Sequence, residues 1–148
     1  MDLDNPASND LVVTRQFRVA GARRTIVPDV VVFVNGLPLV VVECKAPTLG
    51  EEWRQEAVQR LLRYQELGEE WRQQGAPQLF HMAQVLVGTC GQRAVYGTVG
   101  TPERSYLEWK TAYPLAETQL EQRLGHKPTP QDILLAGMLT PAILLDLV

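Results

Sequence analysis

The stretch VPDVVVFVNGLPLVVVECK, residues 27–45, decides the fold of this chain. Two runs of β-branched and aliphatic residues flank Asn35-Gly36, the strongest short-range sequence signal of a β-hairpin. Continuous apolar runs of this kind are typical of strands that are buried on both faces. Asp29 opens the first predicted strand, and Glu43 and Lys45 close the second. Because ionised groups at the edge of a core are costly unless they are paired or bind a metal, the pattern indicates a site at this end of the hairpin.

The pairing register decides which of these charged side chains meet. Side chains alternate between the faces of a strand, so Glu43 and Lys45 point to one face and Cys44 points to the other. A two-residue loop would set Asp29 on the face away from Glu43. A three-residue loop at 35–37 would set Asp29 directly opposite Glu43, with Cβ atoms roughly 4.5–5.5 Å apart. We therefore predict a loop of odd length and two carboxylates that can share one divalent cation. Without a cation, one of the two carboxyl pKa values should rise.

A structural interpretation of the same residues stays open. In that interpretation, Glu43 and Lys45 are ordinary polar residues at a strand end, and their charges are solvated. Each residue taken alone favours this interpretation. The combination of Pro28-Asp29, the separation between the two carboxylates and the Glu-x-Lys ending favours a functional site instead.

The charged positions carry a resemblance to a known group of enzymes. Pro28-Asp29 and Glu43-Cys44-Lys45 stand at the signature positions of the PD-(D/E)xK nuclease superfamily. The wider sequence is similar to the nuclease region of the type I restriction enzyme R (motor) subunit, and the chain is identified as a member of that family. The further matches are Asn9-Asp10, Gln16, LLRYQ at 61–65, YGTVGTPERSYLEWK at 96–110 and LAGMLTPAILLDLV at 135–148.

The resemblance implies a fold and a division of the chain. The expected class is α/β (α+β), a restriction-endonuclease-like core with a mixed central sheet flanked by helices and a C-terminal helical extension. Residues 1–110 would form the nuclease core, lacking the first helix of the family, and 111–148 would form the extension toward a helicase region absent from this chain. The sequence pattern adds a strand at 11–19, a helix at 51–72 that Gly68 bends or ends early, strands at 81–89 and 92–99, and short helices at 114–124, 130–139 and 141–147.

The resemblance also implies residue roles. Asp29, Glu43 and Lys45 would be the catalytic residues. Asp29, Glu43 and the backbone carbonyl of Cys44 would hold Mg²⁺, a cation that prefers oxygen ligands and retains several waters. Lys45 would position or activate the attacking water, or stabilise the transition state.

One position departs from the family pattern. Relatives place a glutamine four residues before a tyrosine on the helix after the Glu-x-Lys strand. Tyr64 matches the tyrosine, but Arg60 lies four residues before it and Gln59 lies five before it. Two side chains that are five residues apart point about 140° away from each other around the helix axis. Either Arg60 substitutes for the glutamine or Gln59 reaches around the helix, and these residues are the candidates for positioning DNA. Tyr64 is either part of the site or a core residue with its hydroxyl at the rim.

Composition bounds the partners and the compartment. The formal net charge of -3 excludes a strongly basic DNA-wrapping protein, so DNA binding rests on the resemblance more than on charge. Cys44 and Cys90 form no metal-binding pattern and are expected to be reduced thiols in a cytoplasmic protein, with Cys44 packed on the far face of its strand. No run approaches the roughly 18 apolar residues of a membrane span, so no membrane association is expected.

Two function hypotheses follow. The first is a Mg²⁺-dependent DNA endonuclease domain that acts with methyltransferase and specificity subunits on double-stranded DNA, after ATP-driven translocation. The chain has no GxxxxGK[ST] motif, so ATP would be bound only by motor domains outside it. The alternative is a catalytically inactive interaction module that docks motor or methyltransferase subunits. A DNA-repair or transposon nuclease of the same superfamily is disfavoured by the NGLPL and LEWK segments. We expect the isolated chain to cleave DNA weakly or not at all.

Overall fold

The chain folds as a mixed sheet with helices on both faces, and the computed structural model describes residues 1–148. The strands are β1 (Leu11–Arg15), β2 (Val19–Ala20), β3 (Thr25–Ile26), β4 (Val30–Val34), β5 (Leu37–Cys44), β6 (Val85–Thr89) and β7 (Ala94–Gly97). The α-helices are α1 (Glu52–Tyr64), α2 (Glu117–Leu124), α3 (Pro130–Ala136) and α4 (Pro141–Asp146). Five strands form one sheet in the order β1-β4-β5-β6-β7, and β2 and β3 pair separately. The predicted fold class is confirmed, and the architecture is consistent with a restriction-endonuclease-like core.

Helix α1 makes the one parallel pairing of the central sheet possible. β5 and β6 are parallel, whereas β1, β4 and β5 pair antiparallel with one another in turn, and so do β6 and β7. Parallel neighbours need a crossover connection, and α1 provides it. The buried residues of α1 recur at helical spacing and pack on the sheet. They are Trp53, Ala57, Val58, Leu61 and Tyr64.

The two faces of the sheet belong to different hydrophobic clusters. Val41 and Leu86 face α1, and they cluster there with Leu61 and Phe80. Alternate residues of the same strands face the other way, against α3 and α4. That second cluster contains Val40, Val42, Val85, Val87, Leu134, Met138, Leu144 and Leu145. The C-terminal helices therefore cover the sheet face opposite α1. The division of the chain at residue 110 stays a prediction.

The predicted three-residue loop of the β4–β5 hairpin is wrong. Val34 pairs with Leu37, so Asn35-Gly36 forms a two-residue turn. Both turn residues have positive φ, 49° and 79°. Positive φ at both central positions matches the twist of the flanking strands, and Asn-Gly tolerates that conformation best.

A β-bulge produces the shift in pairing register that a three-residue loop was predicted to produce. Val32 pairs with Val40, whereas Phe33 pairs with Pro38, so Leu39 is an extra residue in β5. Beyond the bulge, Val30 pairs with Val42. The next residues outward are Asp29 and Glu43, which therefore stand at the same level of the hairpin. The predicted opposition of the two carboxylates arises through a different device.

Several predicted element boundaries are too wide. The strand predicted at 11–19 ends at Arg15, because Gln16 adopts a positive φ of 53°. The helix predicted at 51–72 ends at Tyr64, before Glu66 at a φ of 60° and Gly68 at a φ of 145°. The strand predicted at 81–89 begins only at Val85, because residues Pro77–His81 form a 3₁₀ turn. The strand predicted at 92–99 covers Ala94–Gly97.

The three C-terminal helices exist as predicted but are shorter. Pro130 and Pro141 begin α3 and α4, where a missing N–H costs no intrahelical bond. Thr129 caps α3 by accepting the backbone N–H of Asp132 at 3.2 Å. None of the helices combines the length and apolar character required to cross a membrane.

Candidate active site

Glu43 is the buried centre of the candidate site. It lies near the end of β5, and its side chain is 0% exposed. Its Oε1 accepts hydrogen bonds from Arg60 Nη1 at 2.9 Å and from Lys45 Nζ at 3.2 Å. Its Oε2 is buried and has no hydrogen-bond partner. Because the two cations contact one oxygen, the other carboxylate oxygen is left for a ligand that the protein does not supply.

Asp29 occupies the neighbouring position just before β4. Its Oδ2 accepts the backbone N–H of Cys44 at 2.8 Å, and its Oδ1 accepts Gln16 Nε2 at 2.9 Å. The N–H and C=O of one strand residue point to the same side, so the Cys44 carbonyl lies on the Asp29 side of β5. The structure thus places Asp29 beside the end of β5, at the level of Glu43. That these two carboxylates and the Cys44 carbonyl hold a metal stays a prediction.

The electrostatics of Glu43 reflect this crowding. Burial raises the pKa of the Glu43 carboxyl, and the negative charge of Asp29 raises it further. Arg60 and Lys45 act in the opposite direction but do not cancel the shift. A divalent cation between the two carboxylates would remove the cause of the repulsion.

The donor set fits Mg²⁺ better than a tightly caged metal. No group of three or more His, Cys, Asp or Glu side chains in the chain could hold a metal ion. Two carboxylates and one carbonyl leave room for waters, which Mg²⁺ retains and which structural zinc sites lack. The unpartnered Glu43 Oε2 is the feature that such an ion would satisfy.

Arg60, one of the two candidates for the position of the family glutamine, contacts the candidate site. Its guanidinium reaches Glu43, and Arg60 and Gln59 line the same adjacent groove, so which of the two substitutes for the glutamine stays a prediction. The Tyr64 ring is 2% exposed and belongs to the core, and its hydroxyl donates to the carbonyl of Val27 at 3.4 Å. Burial, followed by the charge of Glu43, raises the pKa of Tyr64 to about 12. Tyr64 is thus a core residue whose hydroxyl lies close to the site, and its role in DNA positioning stays a prediction.

Two residues near the site differ from what the sequence suggested. Gln16 matched the family but was given no role, and the structure shows that it holds Asp29. The role of Gln16 could have been found only from its match to the family pattern, because no spacing in this sequence indicates it. Cys44 lies on the far face as predicted, where it lines an apolar cavity, but it is exposed rather than packed. Cys44 is the last residue of β5, so the strand has no further residue beyond it to cover the thiol.

Comparisons with known proteins agree with this architecture. The family model described as "Type I restriction enzyme R protein N terminus" matches residues 1–105. The HindI endonuclease subunit of a type I restriction enzyme from Haemophilus influenzae is 29% identical over 99% of this chain. A relative from Methanocaldococcus jannaschii, whose name assigns it to the endonuclease subunits of type I restriction enzymes (MjaIXP), is 27% identical over 74% of this chain. The chain spans 13% and 10% of the length of these two relatives. This chain belongs to the family of type I restriction enzyme R protein N-terminal regions.

Proposed function

We propose that this chain is the Mg²⁺-dependent DNA endonuclease domain of a type I restriction-modification R subunit. The observation that carries the proposal is the buried Glu43 carboxylate: its Oε1 accepts Lys45 Nζ, its Oε2 has no hydrogen-bond partner, and Asp29 stands at the same level of the hairpin. Buried polar atoms are normally hydrogen-bonded, and a bound cation would satisfy this oxygen.

The residues of the chain would divide the chemistry among them. Asp29, Glu43 and the Cys44 carbonyl would hold Mg²⁺, which when bound lowers the pKa of a coordinated water and neutralises charge on the phosphate. Lys45, whose side chain is 8% exposed and whose ammonium group contacts Glu43, would orient the attacking water and stabilise negative charge that develops on the phosphodiester. Gln16 would keep Asp29 in place by its hydrogen bond to Oδ1.

The setting of this activity follows from the family. Cleavage of double-stranded DNA would follow ATP-driven translocation by motor domains outside these 148 residues. Methyltransferase and specificity subunits would complete the assembly. The relatives named as endonuclease subunits support this setting.

A second candidate is an inactive nuclease-fold module that docks motor or methyltransferase subunits. The observation in its favour is that Arg60, at the position where the resemblance expects a neutral glutamine, forms an ion pair with Glu43 at 2.9 Å. A permanent cation on that carboxylate weakens its attraction for a metal.

The two candidates differ in the effect of mutations in the complete assembly. Asp29→Ala or Lys45→Ala should abolish DNA cleavage while ATP hydrolysis continues, because metal and water chemistry lie here and nucleotide binding lies elsewhere. Nicking of a plasmid that carries the recognition site, measured beside phosphate release from ATP, gives both readouts. Normal cleavage in both variants would favour the inactive module.

A further inference from the structure

A polar groove runs beside the carboxylates on the α1 side of the sheet. It has a volume of about 240 Å³. Four of its residues lie on α1 at positions i, i+3, i+4 and i+7, a spacing that places them on one helix face. The six lining residues are Lys45, Glu56, Gln59, Arg60, Arg63 and Trp71. Three cations therefore face a single carboxylate, that of Glu56.

The cations of the groove are held by contacts that leave donors free. Arg60 uses Nη1 for Glu43, so most of its five N–H donors remain available. The guanidinium carbon of Arg63 lies 5.4 Å from the centroid of the Tyr64 ring. Arg63 forms no ion pair within 4.0 Å, and its Nε is buried without a hydrogen-bond partner. Arg63 is thus oriented by stacking but lacks an anion.

We infer that this groove binds a phosphodiester group of DNA, with Arg63 as the positioning residue. This group is the neighbour, along the DNA strand, of the phosphodiester group that lies at Asp29 and Glu43. The inference rests on the proposed function. A stacked guanidinium presents a planar fork that matches phosphate oxygens, which a lysine ammonium does not. Apart from Trp71, every residue that lines the groove is charged or polar, and this lining suits a phosphate group better than an apolar base.

Glu56 gives the inference a second, opposite signature. Its carboxylate lines the same groove and repels a phosphate. Removal of this charge should strengthen binding, whereas removal of the Arg63 charge should weaken it. A merely structural role for either residue would not produce effects of opposite sign.

The test measures the affinity of the full chain for a fluorescent DNA duplex of about 20 base pairs in EDTA, over a series of salt concentrations from about 30 mM. Arg63→Ala should weaken binding roughly tenfold and reduce the slope of log affinity against log salt by about one. Glu56→Gln should strengthen binding. The matched control is Arg123→Ala, an exposed arginine on α2 that lines no part of the groove, and it should leave both quantities unchanged.

Two further variants separate binding from folding. Arg63→Lys keeps the charge, so it should retain the salt slope while losing part of the affinity. Thermal melting of Arg63→Ala should match that of the wild type. If Arg63→Ala behaves like Arg123→Ala, or if the wild type binds no duplex even at the lowest salt, the groove assignment is overturned.

Failure of the groove and failure of the nuclease proposal give different results. Suppose that Asp29→Ala abolishes cleavage in the assembly while Arg63→Ala leaves DNA binding by the chain unchanged. The nuclease proposal then stands, and the groove assignment is wrong. Suppose instead that Arg63→Ala lowers the salt slope while the assembly with Asp29→Ala still cleaves DNA. The groove then stands as a DNA contact, and the nuclease proposal is wrong.

Discussion

The two faces of β5 solve the problem of burial in opposite ways. On the α1 face, Glu43 is wholly inaccessible, yet Arg60 and Lys45 contact it and Asp29 lies beside it. On the other face, one residue earlier, Val42 is 8% exposed and lines an apolar cavity of about 460 Å³. The charged residue is the more buried of the two, so burial alone does not decide which residues the strand tolerates. The presence of cations on the α1 face allows a charged side chain there.

The largest expected effect comes from placing a carboxylate on the face of β5 that packs against α3 and α4. Val40 is 0% exposed in the cluster that packs against α3 and α4. Val40→Asp should destabilise the chain by roughly 3–5 kcal/mol, because the cluster offers no cation to compensate a buried charge. Urea unfolding measures the loss, and Val40→Ala controls for the lost packing and should cost less. Equal losses in the two variants would mean that charge has no special cost on this face.

The pH dependence of stability sharpens the comparison. Burial and Asp29 raise the pKa of Glu43 above its ordinary value of 4.5. The stability from that carboxyl is therefore full below pH 4.5 and is lost as the pH rises through the folded-state pKa. Glu43→Gln cannot ionise, so its free energy of unfolding, relative to the wild type, should increase over this pH range. Chemical unfolding across a pH series measures the difference.

Glu108 provides a matched control of opposite sign. Its hydrogen bond to Lys110 lowers its pKa, so its contribution is present above pH 4.5 and is lost on acidification. Glu108→Gln should become less stable relative to the wild type as the pH rises.

Millimolar Mg²⁺ should reduce the loss of stability that the ionisation of Glu43 causes in the wild type, and it should leave the stability of Glu43→Gln unaffected. A wild type that does not respond to Mg²⁺ would contradict the proposed metal site.

The hairpin shows how far sequence reasoning reaches. Apolar runs and Asn35-Gly36 correctly predict two strands, and the charged ends correctly predict that Asp29 and Glu43 stand at one level. How the hairpin brings them to one level was not predictable, because a bulge at Leu39 and a loop of odd length shift the pairing register in the same way. Alternation of side chains fixes parity, whereas the choice between the two devices depends on tertiary packing.

The helix after β5 shows a different limit. Its spacing left Arg60 and Gln59 as equal candidates, because a side chain as long as glutamine could reach from either position. The structure shows the Arg60 guanidinium in contact with the buried Glu43, and the role of either residue in positioning DNA stays a prediction. Gly68 was expected to bend or end α1 early, but the end at Tyr64 was missed, because Glu66 already adopts a positive φ for which the sequence gives little warning.

The smallest expected effect tests whether the two faces are electrically independent. The Cys44 thiol lies on the far face, yet its pKa is raised above its ordinary value of 9.0, first by burial and then by the charges of Asp29 and Glu43. Asp29→Asn removes one of these charges and keeps an oxygen that can accept the Cys44 N–H. The variant should therefore lower the pH at which Cys44 is half-maximally alkylated by iodoacetamide, as followed by mass spectrometry of its peptide. Glu108→Gln, which removes a charge that does not shift Cys44, should leave the profile in place. An unchanged profile in Asp29→Asn would mean that the Asp29 charge has no effect on the pKa of the Cys44 thiol, and the predicted coupling between the two faces through this residue would be wrong.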